Sequence, residues 1–224
     1  MKTIVITGAG KGIGRATAIL AARKGYKVIG LSRNINEIKG IKNLYSYSID
    51  ITEPESLKRI TDTIKSKFSK IDILINNAGV LLNLPFTESS IEKFKKIYEV
   101  NVFGLAEITR LILPFINNDG HVINISSMGG VQGSSKFSGL SAYSSSKGAV
   151  ITLTELLSEE YKNTGPSFNV LALGAVQTEM LELAFPGYKA PVSSKEFAEY
   201  LLNFALNGHK FYNGKILPIS SSNP

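Results

Sequence analysis

The sequence predicts a single doubly wound α/β domain, a parallel sheet of about seven strands with helices on both faces. Three observations lead there. Short runs rich in β-branched residues alternate with longer helical patterns from one end of the chain to the other. Most of those runs are continuous Val, Ile and Leu, as strands buried on both faces must be. A glycine-rich turn separates the first run from the first helical pattern, where such a fold receives a ligand.

In order, strands are expected over residues 3–7, 27–31, 45–49, 71–75, 121–126, 168–173 and 215–219. Helices are expected over 14–24, 53–68, 90–117, 143–162 and 194–207. Parallel neighbours joined by helices require right-handed crossovers, which place helices on both sides of the sheet. The chain has 224 residues and shows no repeat or linker, so residues 1–224 read as one domain. The longest irregular pieces, 128–141 and 174–192, both follow expected strands, the side on which an open parallel sheet carries its ligands.

Composition excludes several function classes. There is no cysteine, so disulfides, thiolate metal sites and cysteine nucleophiles are excluded together. Lysine and arginine total 25 against 18 acids, and the resulting +7 favours anionic ligands. No basic run with interleaved aromatics marks a nucleic-acid groove, so no nucleic-acid partner is expected. The first seven residues are too short for a signal segment, and the apolar stretch 111–116 is broken by Pro114. No stretch reaches the roughly 20 residues needed to span a bilayer, and a cytoplasmic protein without a membrane partner is expected. His121 and His209 are expected to be exposed, and no metal cluster is visible.

Residues 7–14 read Thr-Gly-Ala-Gly-Lys-Gly-Ile-Gly, between the first strand and the first helix. Glycines let the backbone turn sharply against a pyrophosphate, whose charge then meets the free N–H groups of the helix. A bare turn is the alternative, but strand and helix on either side supply the context of nucleotide binding. Past the middle, Tyr143 and Lys147 stand four residues apart, which on a helix brings phenol and ammonium to one face. A fixed positive charge beside a phenol favours phenolate, so a lowered Tyr143 pKa and acid/base work are expected. Taken alone, the pair is equally a surface Tyr and Lys in contact.

The spacing through Thr7, Gly8, Gly12 and Gly14, with Tyr143 and Lys147, resembles the short-chain dehydrogenase/reductase family, the branch with T-G-x-x-x-G-x-G and Y-x-x-x-K. Residues 76–79 match its N-N-A-G, 101–104 its N-V-x-G and 124–127 its N-I-S-S, so the likeness covers the whole chain. It implies a Rossmann-type domain whose cofactor half is roughly 1–120 and whose catalytic and substrate half is roughly 121–224. Tyr143 would then be the acid/base, and Lys147 would tune it and hold the nicotinamide ribose. Ser127 would orient the substrate oxygen, with neighbouring Ser126 as a competitor, and Asn101 would hold a water leading to Lys147.

Cofactor contacts are implied for Gly8, Lys11, Gly12, Ile13 and Gly14, for Ser32 and Arg33, and for Asp50 and Ile51 near the adenine. Asn77, Ala78 and Gly79, then Tyr143 and Lys147, and finally Gly174, Val176 and Thr178 complete them. Lys11 and Arg33, with no acid at the end of the second strand, favour NADP(H) over NAD(H). Asp72 is expected to hold the 76–79 turn.

Two departures from the family pattern stand out. The gap from Ser127 to Tyr143 is about three residues longer than usual, which should extend the rim of the substrate pocket. Leu173 replaces the usual proline before Gly174, which should loosen that turn. The substrate pocket is expected from 81–84, 128–140 and a mobile 180–191 lid, with Leu81, Leu82 and Leu84 facing Leu181, Leu183, Ala184 and Phe185. That lining suits a small to medium, largely apolar carbonyl or secondary alcohol. Helical stretches 98–115 and 142–157 are apolar on more than one face, and with the resemblance they imply a homodimer or homotetramer. The expected activity is NADP(H)-dependent hydride transfer; a non-catalytic dinucleotide-binding redox sensor is the alternative.

Overall fold

The computed structural model describes residues 1–220; the last four residues of the expected domain lie outside the described residues. β1 (Thr3–Thr7) passes through the glycine turn into α1 (Gly12–Arg23), followed by β2 (Lys27–Ser32), β3 (Leu44–Ser48), α2 (Pro54–Lys67) and β4 (Ile71–Asn76). α3 (Ile91–Tyr98) continues through a π-helical turn, Glu99–Gly104, into α4 (Leu105–Ile112), and then come β5 (Ile116–Ser127) and α5 (Ser141–Glu160). The chain ends with β6 (Ser167–Leu173), β7 (Val176–Gln177), α6 (Glu179–Ala184), β8 (Val192–Ser193), α7 (Ser194–Asn207) and β9 (Ile216–Ile219).

Seven strands form one sheet in the order β3-β2-β1-β4-β5-β6-β9, and every pair in it is parallel. Alternation along β1 divides the core. Ile4 and Ile6 pack on Ala18 and Ala21 of α1 and Leu201 of α7, while Val5 packs on Ile60 and Ile64 of α2 and Ile108 of α4. Each such fully buried aliphatic side chain contributes about 1.5–3 kcal/mol. The chain winds outward in both directions from β1 and β4, so a crevice opens beyond their C-terminal ends.

The long helical pattern 90–117 is not one helix. It widens at the π turn, and Pro114 stops it in a short 3₁₀ turn before β5 starts at Ile116. β5 therefore begins five residues ahead of the expected 121, with a register shift against β4 between Ile71 and Ile73. The expected irregular stretch 174–192 contains α6 and the small parallel pair of β7 and β8.

His121 is buried, not exposed as expected. Asn169 Nδ2 donates to its Nε2 (2.9 Å), so its Nδ1 carries the proton and donates to the Ala205 carbonyl (3.1 Å). His209 is half-buried beside it, ring centroids 5.5 Å apart. Asp72 also differs from expectation. It accepts from the Thr3 amide (2.7 Å) and from Asn117 Nδ2 (3.0 Å), and so ties the starts of β1 and β4 to β5, at the opposite end from the 76–79 turn.

Candidate active site

Thr7 closes β1 and holds the turn that follows β4. Its hydroxyl accepts from the amides of Asn77 and Ala78, both at 3.1 Å, and Asn77 Nδ2 donates back to the Thr7 carbonyl at 3.2 Å. Gly8 has φ +68°, and a Cβ there would stand 2.8 Å from Ala78 Cα, so only glycine lets the two turns touch. α1 then starts at Gly12 with no side chain capping its first turn and no acid in it. Its first N–H groups are the phosphate-binding donors that the glycine spacing implies.

From this turn a cleft of about 250 Å³ runs over the sheet. Every site residue expected from the sequence lines it except Gly14 and Asn101. Gly14 packs beneath the turn, where a Cβ would lie 2.3 Å from the Gly8 carbonyl. Asn101 is fully buried in the π turn. Its Oδ1 accepts from the Val80 amide (2.8 Å), and its Nδ2 donates to the Val80 carbonyl and to Ser146 Oγ, both at 3.0 Å. The side chain is thus engaged by protein groups, and it fixes the 79–80 backbone against α5.

β5 ends in two serines with different surroundings. Ser126 Oγ is buried and donates to the Lys147 carbonyl (2.8 Å), which docks α5 on the sheet. Ser127 lines the cleft together with Tyr143 and accepts from the Gly129 amide (3.3 Å). Lys147 Nζ lies 5.8 Å from the centre of the Tyr143 ring and donates to the Ile125 carbonyl (2.9 Å). The expected depression of the phenol pKa is not found. Burial pushes Tyr143 up to about 12, against the lowering effect of the Ser127 hydrogen bond, and burial pulls Lys147 down to about 8. Desolvation penalises both charged forms, so it outweighs the attraction between them.

At the far end of β2, Arg33 Nη1 is 3.9 Å from Asp50 Oδ2, while Asp50 Oδ1 accepts from the Thr52 amide (2.9 Å) and hydroxyl (2.7 Å). That corner is therefore not purely cationic, as the strand end alone had suggested. Leu173 leaves no loose turn either, because the Gly174 amide donates to the Ile219 carbonyl at 2.8 Å. Thr178 caps α6, accepting from the Leu181 amide at 3.1 Å. This brings the start of α6 over the glycine turn, with Glu179 Oε2 3.5 Å from where a Gly12 Cβ would be.

At the Tyr143 end the cleft is lined by Leu81, Met128, Phe137, Leu140, Met180, Leu181 and Phe185. Leu82, Leu84 and Ala184 do not reach it, and Leu183 points to solvent. Sequence reasoning missed Arg15 and Glu179, paired at 3.3 Å across 164 residues of chain, and Asn83, which contacts two other loops. No motif marks these residues; only the fold brings them together. Among the described residues, no group of three His, Asp or Glu side chains could hold a metal, and no helix is long and apolar enough to cross a membrane.

Fold and cleft together define a doubly wound dinucleotide-type α/β protein with a Ser, Tyr and Lys set beside its glycine turn. The family model for short chain dehydrogenases matches residues 2–189, and the chain belongs to that family of oxidoreductases. It is 30% identical over 209 residues to an uncharacterized oxidoreductase of Staphylococcus saprophyticus, with 88% of each chain covered. It is 28% identical over 207 residues to the 3-oxoacyl-[acyl-carrier-protein] reductase FabG of Thermotoga maritima, covering 88% of this chain and 80% of that one. Among solved structures, ElxO with NADP bound is similar at 27% identity and a TM-score of 0.84, covering 97% of this chain and 96% of that one. A 4-hydroxyisoleucine dehydrogenase complexed with NADH shares the fold at 24% identity and a TM-score of 0.88, covering 99% and 98%.

Proposed function

We propose that the protein is an NADP(H)-dependent reductase of uncharged, largely apolar carbonyls, or dehydrogenase of the corresponding secondary alcohols. The observation that carries this reading is that Ser127, Tyr143 and Lys147 stand together in the wall of the cleft that begins at the glycine turn, with the Lys147 Nζ 5.8 Å from the centre of the Tyr143 ring. The glycine cradle fits a nicotinamide dinucleotide. Gly8 and Gly12 adopt φ +68° and +54°, and the first turn of α1 carries neither a side-chain cap nor an acid. Lys11 and Arg33 on the cleft wall favour a 2′-phosphate. The dinucleotide, when bound, supplies the hydride.

The chain's own residues supply the rest. Ser127 hydrogen-bonds the carbonyl oxygen, and Tyr143 passes its phenolic proton to that oxygen as negative charge develops there. The Lys147 ammonium stabilises the phenolate left behind, and Asn101 acts as a positioning residue by fixing the backbone beside Lys147. In this reading, residues 1–120 hold most of the dinucleotide, and residues 121–224 supply the proton-transfer groups and most of the substrate wall. Phe103 and Leu156, more than half exposed on the π turn and α5, support a homodimer or homotetramer built through those helices.

NADPH oxidation measured against a panel of ketones and aldehydes tests the activity. Tyr143→Phe is expected to abolish turnover and leave NADPH binding in place. NADPH is expected to bind more tightly than NADH, and Arg33→Ala to remove that difference; equal binding of the two cofactors by the unmodified protein would refute the NADP(H) assignment.

A further inference from the structure

The part of the cleft that meets the substrate is built by three loops, and one side chain joins them. Asn83, after β4, donates from Nδ2 to the Ala184 carbonyl at the end of α6 (2.9 Å). Its Oδ1 lies where a Cβ on Gly139 would be, 2.0 Å from that position, and Gly139 has φ +81°. The next amide, Leu84, donates to the Gly139 carbonyl at 2.9 Å. Gly139 belongs to the lengthened loop between Ser127 and Tyr143, and that loop brings Phe137 onto Phe185, which directly follows α6. The two rings meet edge to face with centroids 6.3 Å apart, and both line the cleft with Tyr143.

We propose that Asn83 is the positioning residue that holds Phe137 and Phe185 together as an aromatic wall, and that this wall selects uncharged carbonyls bearing a flat or unbranched apolar group. The inference rests on the carbonyl-reductase reading above. Aromatic edges and faces at this spacing accept another flat group in the same geometry. The neighbouring lining residues, Leu81, Met128, Leu140 and Leu181, carry no charge, and the nearest ionisable side chain on the α6 side is the acid Glu179. A carboxylate or phosphate carried on the substrate's far end would lose its hydration against these apolar side chains. Because Asn83 joins both loops and does not itself line the cleft, its effect on turnover passes through the placement of the wall.

The test compares kcat/KM with NADPH for benzylacetone, its para-carboxylate and butanone. The unmodified enzyme is expected to favour benzylacetone over the carboxylate by about tenfold or more. Phe137→Ala is expected to lower the benzylacetone-to-butanone ratio about tenfold. Asn83→Ala should shift the ratio in the same direction through KM, and Asn83→Asp, which loses the donor to Ala184, should behave like it. If Asn83→Ala fails to fold, Phe137→Leu carries the same comparison. Ketone turnover with a ratio that neither Phe137→Ala nor Asn83→Ala moves would overturn the wall, as would an equal loss for all three ketones. NADPH binding with no ketone turned over by the unmodified enzyme would overturn the carbonyl-reductase reading itself.

Discussion

The Arg15 guanidinium lies 3.3 Å from the Glu179 carboxylate and 3.6 Å from that of Glu37, joining the first turns of α1 and α6 to the loop after β2. The other Glu179 oxygen overhangs Gly12, on ground that the pyrophosphate of the proposed cofactor would share. Two anions at one helix start repel each other, although the half-exposed carboxylate is screened. Glu179→Gln should therefore tighten NADP binding by a few fold, and Arg15→Ala should weaken it. Titration of cofactor fluorescence at two salt concentrations checks this, since the gain from Glu179→Gln should shrink at high salt.

Ser126 and Ser127 should separate cleanly. Ser127→Ala is expected to lower kcat about 10²-fold while thermal stability stays the same, because in the proposed mechanism its hydroxyl, on the cleft wall, holds the substrate oxygen. Ser126→Ala should cost about 1 kcal/mol of stability through the lost bond to the Lys147 carbonyl. Steady-state rates and a melting curve for each variant decide it; the reverse pattern would move the substrate contact to Ser126.

Asn101 makes three hydrogen bonds from complete burial. Asn101→Ala would leave the Val80 amide and carbonyl without their partner and remove one donor to the Ser146 hydroxyl, which keeps its bond to the Tyr143 carbonyl, a loss of about 2–4 kcal/mol. Urea unfolding measures that loss. kcat should fall as well, because Gly79, where a Cβ would stand 3.5 Å from Lys147 Nζ, depends on the same clamp.

His121 makes stability depend on acid. Burial lowers its pKa from the ordinary 6.5 to about 4. Between those values the unfolded chain binds a proton that the folded chain excludes, so stability is fully present above pH 6.5 and is lost as pH falls towards 4. The integrated loss is about 3 kcal/mol, and half-buried His209, also shifted down by burial, adds to it. Urea midpoints from pH 7 to pH 4 should fall accordingly, and should fall less in His121→Gln.

Much of this was legible in the sequence. Runs of β-prone residues placed six of the seven sheet strands to within a residue or two at each end, most plainly β1, β2, β4 and β6, where burial on both faces leaves little choice of side chain. β5 was the exception, since its first half contains Asn117, Asn118 and Asp119 and carries no apolar signal. Most of the motif residues converge on one cleft because they mark the C-terminal end of a strand or the helix that follows it, while Gly14 and Asn101 pack behind its wall. Long-range pairs were not legible. Arg15 and Glu179, Asn83 and Ala184, and His121 and Asn169 read as ordinary polar residues until the fold brings them together. The shift of Tyr143 was missed for a related reason, since sequence spacing shows the charge four residues away but not how far the walls of the cleft remove both groups from water.

The outer strand of the sheet bears on how copies of this protein can meet. Lys215 and Ile219 present their carbonyls inward to β6, so by the two-residue period of a strand Pro218 turns its nitrogen to the open edge. A proline there has no hydrogen to offer, and an incoming strand would find a gap in the ladder at that point. Continuous extension of the sheet from one molecule into the next is discouraged at β9.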